Sequence, residues 1–280
     1  VFDHIVCTGV LHHLADPTAG LRALAEVLAP GGAISVMVYA TFGRTGVAML
    51  QDYARLLHIE PDAAAIAELV EALRELPLGH PLGHLLRSTP DFQDDDALAD
   101  ALLNPRDRSY TVPELLAWVR DAGVTFGRWV RQAPYLPTCG SMSELAHGRR
   151  IARLDRDEQY AALELYRGTM TRHSFIAHRG DEPAASHVDV ADDRALGRCI
   201  PVRPATTIAV EERLPPGAAG ALLNRAHEFT DLVMFVDEAQ LAAFRAIDGA
   251  RTVGEIATGD LDLFRRLYDH DLVVLDASRS

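Results

Sequence analysis

The sequence has no lysine. All 27 of its basic residues are arginine; they face 40 acids, and the formal net charge at pH 7 is −13. A chain this acidic is repelled by phosphate backbones and anionic lipid, which disfavours nucleic-acid and membrane-surface roles. Cysteine is scarce as well. Cys7, Cys139 and Cys199 lie far apart, which excludes a disulfide framework and fits free thiols in a reducing, cytoplasmic compartment. No apolar run approaches the ~18 residues that span a bilayer. No G-x-G-x-x-G turn follows a strand, and Thr41–Gly46 lacks the Lys-Ser/Thr ending of a phosphate loop.

What is present is concentrated at the start. Phe2-Asp3-His4-Ile5-Val6-Cys7-Thr8 reads as a short apolar strand running into the turn Gly9-Val10-Leu11-His12-His13-Leu14. Asp16-Pro17 offers a cap and a first helical residue. Leu21, Leu24, Ala25 and Leu28 recur at helical spacing. Pro30-Gly31-Gly32 is expected to stop that helix, and Ala33–Tyr39 to form a second, buried strand. Strand, helix and strand make a βαβ unit, whose strands should be parallel.

This stretch resembles the class I S-adenosylmethionine-dependent methyltransferases of the type 11/12 kind. The resemblance is carried by Phe2-Asp3, Val10-Leu11-His12-His13-Leu14, Asp16-Pro17 and Val27-Leu28-Ala29-Pro30-Gly31-Gly32, which match the family's fourth strand, following helix and start of its fifth strand. It implies that the glycine-rich first βα unit is missing, so the chain is expected to be the C-terminal portion of a longer protein. The fold class expected is α/β. It comprises a partial Rossmann-like sheet (strands four to seven of the family) with a helical insertion, and a small α+β, winged-helix-like module at the C-terminus.

With 280 residues, one large domain plus a smaller one is the prior. Residues 1–182 read as the methyltransferase part, with 41–108 as an inserted helical segment, 183–193 as a linker and 194–280 as the C-terminal module. Within the insertion, helices are expected through Val47–Leu57 and from Pro61 to Leu73, and a loop over Leu76–Pro90. His80 and His84 are four apart, but Pro81 and Gly83 spoil a helical metal pair. The acids of Asp91–Asp96 read as a solvated helix start, and no metal site is expected. Thr111-Val112-Pro113-Glu114 is a capping box for a helix ending at Gly123. Val124–Arg131 reads as a strand, Asp155–Arg167 as a helix, and His173–Arg179 as a strand resembling the family's reversed seventh. In the module, Ala218–His227 is expected to be helical, and Asp237 and Thr252 to cap helices. Ile247–Ala257 is similar to peptide-recognition modules of the PqqD type, so a peptide or protein partner is expected there. DNA is disfavoured, because acids outnumber arginines nine to five over 237–279.

The resemblance places the cofactor, S-adenosylmethionine, beyond the first strand, against Thr8, Gly9, Val10 and Leu11. His12 and His13 are then the catalytic candidates, since a histidine titrates in the range of a general base. The bland reading of either is a ring packed under the turn. Tyr39 and Arg44 are candidate substrate-binding residues and equally plausible as structural ones. Trp118 and Trp129 read as packing residues and Cys139 as an inert thiol. The function implied is methyl transfer to a small-molecule acceptor; the alternative is a non-catalytic binding or scaffold module on a degenerate methyltransferase fold.

Overall fold

Two apolar stretches lie side by side and co-directional in the computed structural model, which describes residues 1–88, 98, 101–179, 189–257 and 259–278. β1 (Phe2–Thr8) pairs in parallel with β2 (Leu28–Ala40), from His4 opposite Ala33 to Thr8 opposite Met37. Between them runs α1 (Pro17–Glu26), whose Asp16 cap accepts the Ala19 N–H at 2.9 Å. The cap and the proline at the first position are the ones the sequence names.

Two details of β2 differ from expectation. Pro30-Gly31-Gly32 lies inside the strand rather than serving only as a helix stop. The register slips there, between Phe2 and His4, and Gly31 has φ +72°. A Cβ on Gly32 would come within 2.9 Å of the carbonyl oxygens of Ala29 and Asp3, so the bulge requires glycine. Nor is the strand buried on both faces. Ile34, Val36, Val38 and Ala40 enter the core, while Ser35, Met37 and Tyr39 are half-buried.

The remaining strands complete the sheet. A two-residue strand β3 (Ser109–Tyr110) pairs in parallel with Tyr39 and Ala40, past the point where β1 ends. It leads into α5 (Val112–Asp121), whose capping box on Thr111 and Glu114 is formed, and then into β4 (Val124–Trp129). β5 (Arg172–Arg179) inserts antiparallel between β2 and β4, giving the order β1-β2-β5-β4. The helices α6 (Ala146–Ile151) and α7 (Arg156–Arg167) precede it, with Asp155 capping α7. Leu21, Leu115, Val119 and Tyr160 pack with Ile34, Val38 and Phe175 in one core. Trp118 and Trp129 are buried there as packing residues.

A buried polar contact pins this core. Glu164 accepts the Val112 N–H at 2.8 Å through one oxygen, and its other oxygen lies 3.0 Å from His173 Nε2. His173 Nδ1 takes the Tyr135 hydroxyl at 2.7 Å. Neither Glu164 nor His173 reaches solvent, so their hydrogen bonds come from each other and from Val112, Tyr135 and the Tyr110 carbonyl.

The inserted segment holds α2 (Thr45–Leu56), α3 (Ala63–Arg74) and α4 (Leu82–Ser88). The last falls where the sequence reads as a loop. His80 Nδ1 accepts the Leu82 N–H at 3.1 Å and so starts the helix with its own ring. Leu82 and Leu85 then join Val47, Leu50, Leu69 and Leu73 in a separate apolar cluster. The Asp91–Asp96 patch lies outside the described residues.

The C-terminal module is richer in strand than expected. α8 (Asp193–Arg198) leads to β6 (Ile200–Val202). β7 (Thr207–Val210), β8 (Gly220–Asn224) and β9 (Val233–Val236) form an antiparallel sheet. The expected helix over Ala218–His227 is thus the central strand β8. Its alanines and leucines favour helix locally, but pairing on both edges and burial of Leu222 outweigh that preference. α9 (Glu238–Arg245), α10 (Val253–Ile256) and α11 (Leu261–Asp269) follow, and β10 (Val274–Asp276) returns to β6. Asp237 and Thr252 cap α9 and α10 through complete capping boxes, as expected. No helix among the described residues is long and apolar enough to cross a membrane.

Asp271 is one of the residues that join module to sheet, beside the Arg167–Asp231 and Arg172–Glu228 pairs. Asp271, at φ +56°, accepts the backbone N–H groups of Gln132 and Ala133 at 3.0 and 2.9 Å and the Arg128 guanidinium at 3.2 Å. Burial raises its carboxyl to about 6 against those donors. Burial also lowers neighbouring His270 to about 4 and depresses His227.

Two outcomes follow from these buried groups. Glu164→Ala strands the Val112 N–H and leaves His173 Nε2 only the Tyr110 carbonyl, so urea unfolding should show a loss of about 1–3 kcal/mol. Burial holds both histidines neutral below their ordinary range, so they take up protons on unfolding, and the contribution of His270 falls with pH from 6.5 down to about 4. Asp271 acts oppositely between about 6 and its unfolded value. His270→Gln should therefore flatten the loss of stability measured between pH 6.5 and 4.5, by about 1.4 kcal/mol per pH unit at most.

Candidate functional site

The C-terminal ends of β1 and β2 meet the start of the inserted segment, and most of the residues singled out by sequence gather there. Thr8 and Val10 are exposed. Gly9 sits between them at φ +72° and donates its N–H to Met37 O at 3.2 Å. A side chain at Gly9 would meet nothing closer than 3.7 Å, so the backbone angle, not space, calls for glycine. Leu11 turns inward and belongs to the core, leaving only its backbone at the turn.

The two histidines have different surroundings. The Leu11–His13 stretch is a single 3-10 turn. His12 is fully buried, its ring 4.1 Å from both the His13 and the Tyr39 rings. Neither of its nitrogens has a hydrogen-bond partner. Burial, reinforced by His13, lowers its pKa to about 4, so the ring is neutral at pH 7. His12 is therefore the ring packed under the turn. His13 is part-exposed, with Nδ1 3.8 Å from Asp107 Oδ1 and 3.4 Å from Asn104 Nδ2.

Tyr39 and Arg44 form one unit. The Arg44 guanidinium lies 3.6 Å over the Tyr39 ring and is 3.0 Å from Asp107 Oδ2. Arg44 is nearly buried, so its charge is committed within the protein rather than offered to solvent. Gln51 Nε2 adds a 2.8 Å bond to the same Asp107 oxygen. Asp107 is the residue that sequence reasoning missed. It stands between two arginines in an unpatterned stretch, and only the pairing of β3 with Tyr39 and Ala40 carries it to the histidines.

Two cavities flank these elements. One, of about 450 Å³, opens beside Asp107 and is lined by Gln51, Ala54, Leu102 and Asn104 among others. The other, of about 460 Å³, lies between the sheet and the C-terminal module, against Val6, Thr8, Met37 and Phe229. Cys139 lines neither cavity. Its thiol lies 3.5 Å from His270 Nδ1, a partner 131 positions away, and burial pushes its pKa well up. It is an inert thiol, as expected. His80 serves as a helix cap, and the His84 side chain lies outside the described ones.

Comparison with known proteins gives the class. Residues 1–34 match a family model described as a methyltransferase domain. The fold is similar to that of PKMT2 from Rickettsia typhi, at a TM-score of 0.58 and 12% identity over 99% of this chain and 58% of that one. The same protein in complex with AdoHcy matches at 0.58 and 13%, covering 59% of its chain. Together with the reversed β5, these matches assign the fold to the class I methyltransferases. At the level of individual proteins, the chain is 31% identical over 288 residues to an uncharacterized protein of Synechococcus sp., covering 98% of this chain. It spans 65% of that relative's length.

Proposed function

We propose that the protein transfers a methyl group from S-adenosylmethionine to a small-molecule acceptor. The observation that carries the reading is the parallel pair β1–β2 beside the reversed β5, with Thr8, Gly9 and Val10 standing open at the ends of the parallel strands. Ligands of open α/β sheets bind at that end.

The residues present fit one wall of a cofactor site. Gly9 presents bare backbone, and the exposed side chains of Thr8 and Val10 flank it. When bound, the cofactor supplies an electrophilic methyl group on a sulfonium. The chain's own contribution is alignment, since in-line displacement depends on holding the acceptor at attack distance. His13 is the ring of the pair that an acceptor can reach, and the cavity beside Asp107 supplies room for a small molecule. His13 would hold the proton released by a hydroxyl or amine acceptor, with Asp107 steadying the resulting charge. His12, enclosed by His13 and Tyr39, positions its neighbour and does not touch substrate. Arg44 fixes the Asp107 carboxylate from behind.

Calorimetric titration of the protein at its full natural length with S-adenosylhomocysteine tests the reading. Binding in the micromolar range is expected. Val10→Asp alters an exposed position without disturbing the core and should weaken it about tenfold. A flat titration with a folded protein would remove the proposal.

A further inference from the structure

His12, His13 and Asp107 each offer one donor atom, and these three atoms lie within 4.8 Å of one another. Two features separate this group from an ordinary polar network. His12 is fully buried, yet neither ring nitrogen has a partner. Asp107 Oδ1 is likewise buried and unpartnered, although Oδ2 of the same carboxylate is served twice, by Arg44 and by Gln51. Buried polar atoms in native proteins are nearly always satisfied, because one left alone carries its full desolvation cost. Here the orphaned atoms belong to neighbouring side chains and cluster at one point.

We infer that this point is a binding site for a divalent transition-metal ion of the zinc type, held by His12, by His13 Nδ1 and by Asp107 Oδ1. The donor set decides the class of ion. Two imidazole nitrogens and one carboxylate oxygen suit zinc and its first-row neighbours, whereas calcium and magnesium need mostly oxygen ligands. Three protein ligands leave a fourth position open. Tetrahedral ligands about 2.1 Å from an ion stand roughly 3.4 Å apart. The His13–Asp107 separation of 3.8 Å is already close to that, and the widest gap, no more than 4.8 Å, closes with a relative movement of at most ~1.4 Å.

The frame around the site suits the role. His12 and His13 share one 3-10 turn, and Asp107 precedes β3 by two residues. Arg44 and Gln51 hold the far carboxylate oxygen, so Oδ1 is left aimed at His13, as an outer shell orients a ligand. The Arg44 charge opposes a cation, and its fixed place on Oδ2 and over the Tyr39 ring puts the carboxylate between the two. The Asn104 contact to His13 Nδ1 is long, at 3.4 Å, and would give way to the ion. The neighbouring cavity of about 450 Å³ includes Asp107 in its wall, so the open position is within reach of a small oxygen-bearing ligand. This inference does not rest on the methyl-transfer reading, because it concerns binding by the protein's own side chains; with the ion bound, His13 and Asp107 are its ligands and no longer the proton-holding pair.

The test is metal binding with no cofactor present. Protein stripped with a chelator is titrated with Zn²⁺ against a chromophoric competitor, and metal content is read by mass spectrometry. About one Zn²⁺ per chain is expected, with a rise in Tm on addition. His13→Ala, at a part-exposed position, and Asp107→Asn should each weaken binding by at least ~10–100-fold. His147→Ala, an exposed histidine elsewhere, should leave it unchanged. If Asp107→Asn fails to fold, His13→Ala decides alone. No stoichiometric binding would mean that water serves the orphaned atoms, and the inference falls. It falls equally if Zn²⁺ binds with undiminished affinity to His13→Ala, which places the ion on surface histidines or thiols.

Discussion

Glu164 and His173 meet 3.0 Å apart with neither side chain reaching water, and the sheet is arranged around that contact. One oxygen of Glu164 terminates the start of α5 by accepting the Val112 N–H, and the other faces β5 through His173. Tyr135 joins through the second ring nitrogen. A helix start, a helix side, a strand and a turn are thereby fixed to one another without any backbone ladder. Such a network is costly to leave half-made. It therefore holds β5 in the reversed orientation against β2, and β2 in turn carries Tyr39 to the place where the histidines lie.

The second constraint is the joint between the two parts of the chain. Asp271 does for the 3-10 turn at Ala133–Tyr135 what a capping residue does for a helix, taking two adjacent backbone N–H groups. Arg167 reinforces the joint from the other side by binding Asp231 at 3.0 Å and the Pro134 carbonyl at 2.9 Å. Both contacts converge on residues 132–134, which connect β4 to the rest of the domain. The C-terminal module is thus fastened at the edge strand of the sheet, and its Glu228 and Phe229 reach the cavity beside Thr8 and Met37. The histidine cluster owes its shape to the inserted segment, which supplies Arg44 just before α2, Gln51 within α2 and Asp107 just before β3.

Much of the architecture was legible residue by residue. Asp16-Pro17, the Thr111–Glu114 box, Asp155, and the boxes at Asp237 and Thr252 all announce helix starts, because a cap and the N–H groups it satisfies are neighbours in sequence. The parallel pair and the reversed strand were legible through the family resemblance. The Ala218–His227 stretch was not, because its residues prefer helix when alone and become strand only with β7 and β9 on either side. The Leu82–Ser88 helix was hidden by the prolines and glycines around it, since its start depends on the His80 ring rather than on a conventional cap. Within the site, Gly9 and the His12-His13 pair were visible and Asp107 was not.

What the chain settles by itself is local: where helices begin, which strands are apolar, and that a turn bearing two histidines follows the first strand. Short-range hydrogen bonds and alternation along the backbone are enough for that. What the tertiary structure decided is which of two adjacent histidines is buried and which reaches solvent. It also brought an aspartate from more than ninety positions away to face them, and it committed Arg44 to Tyr39 and Asp107. Those outcomes depend on strand pairing and desolvation, and no stretch of sequence carries its burial or its distant neighbours within itself.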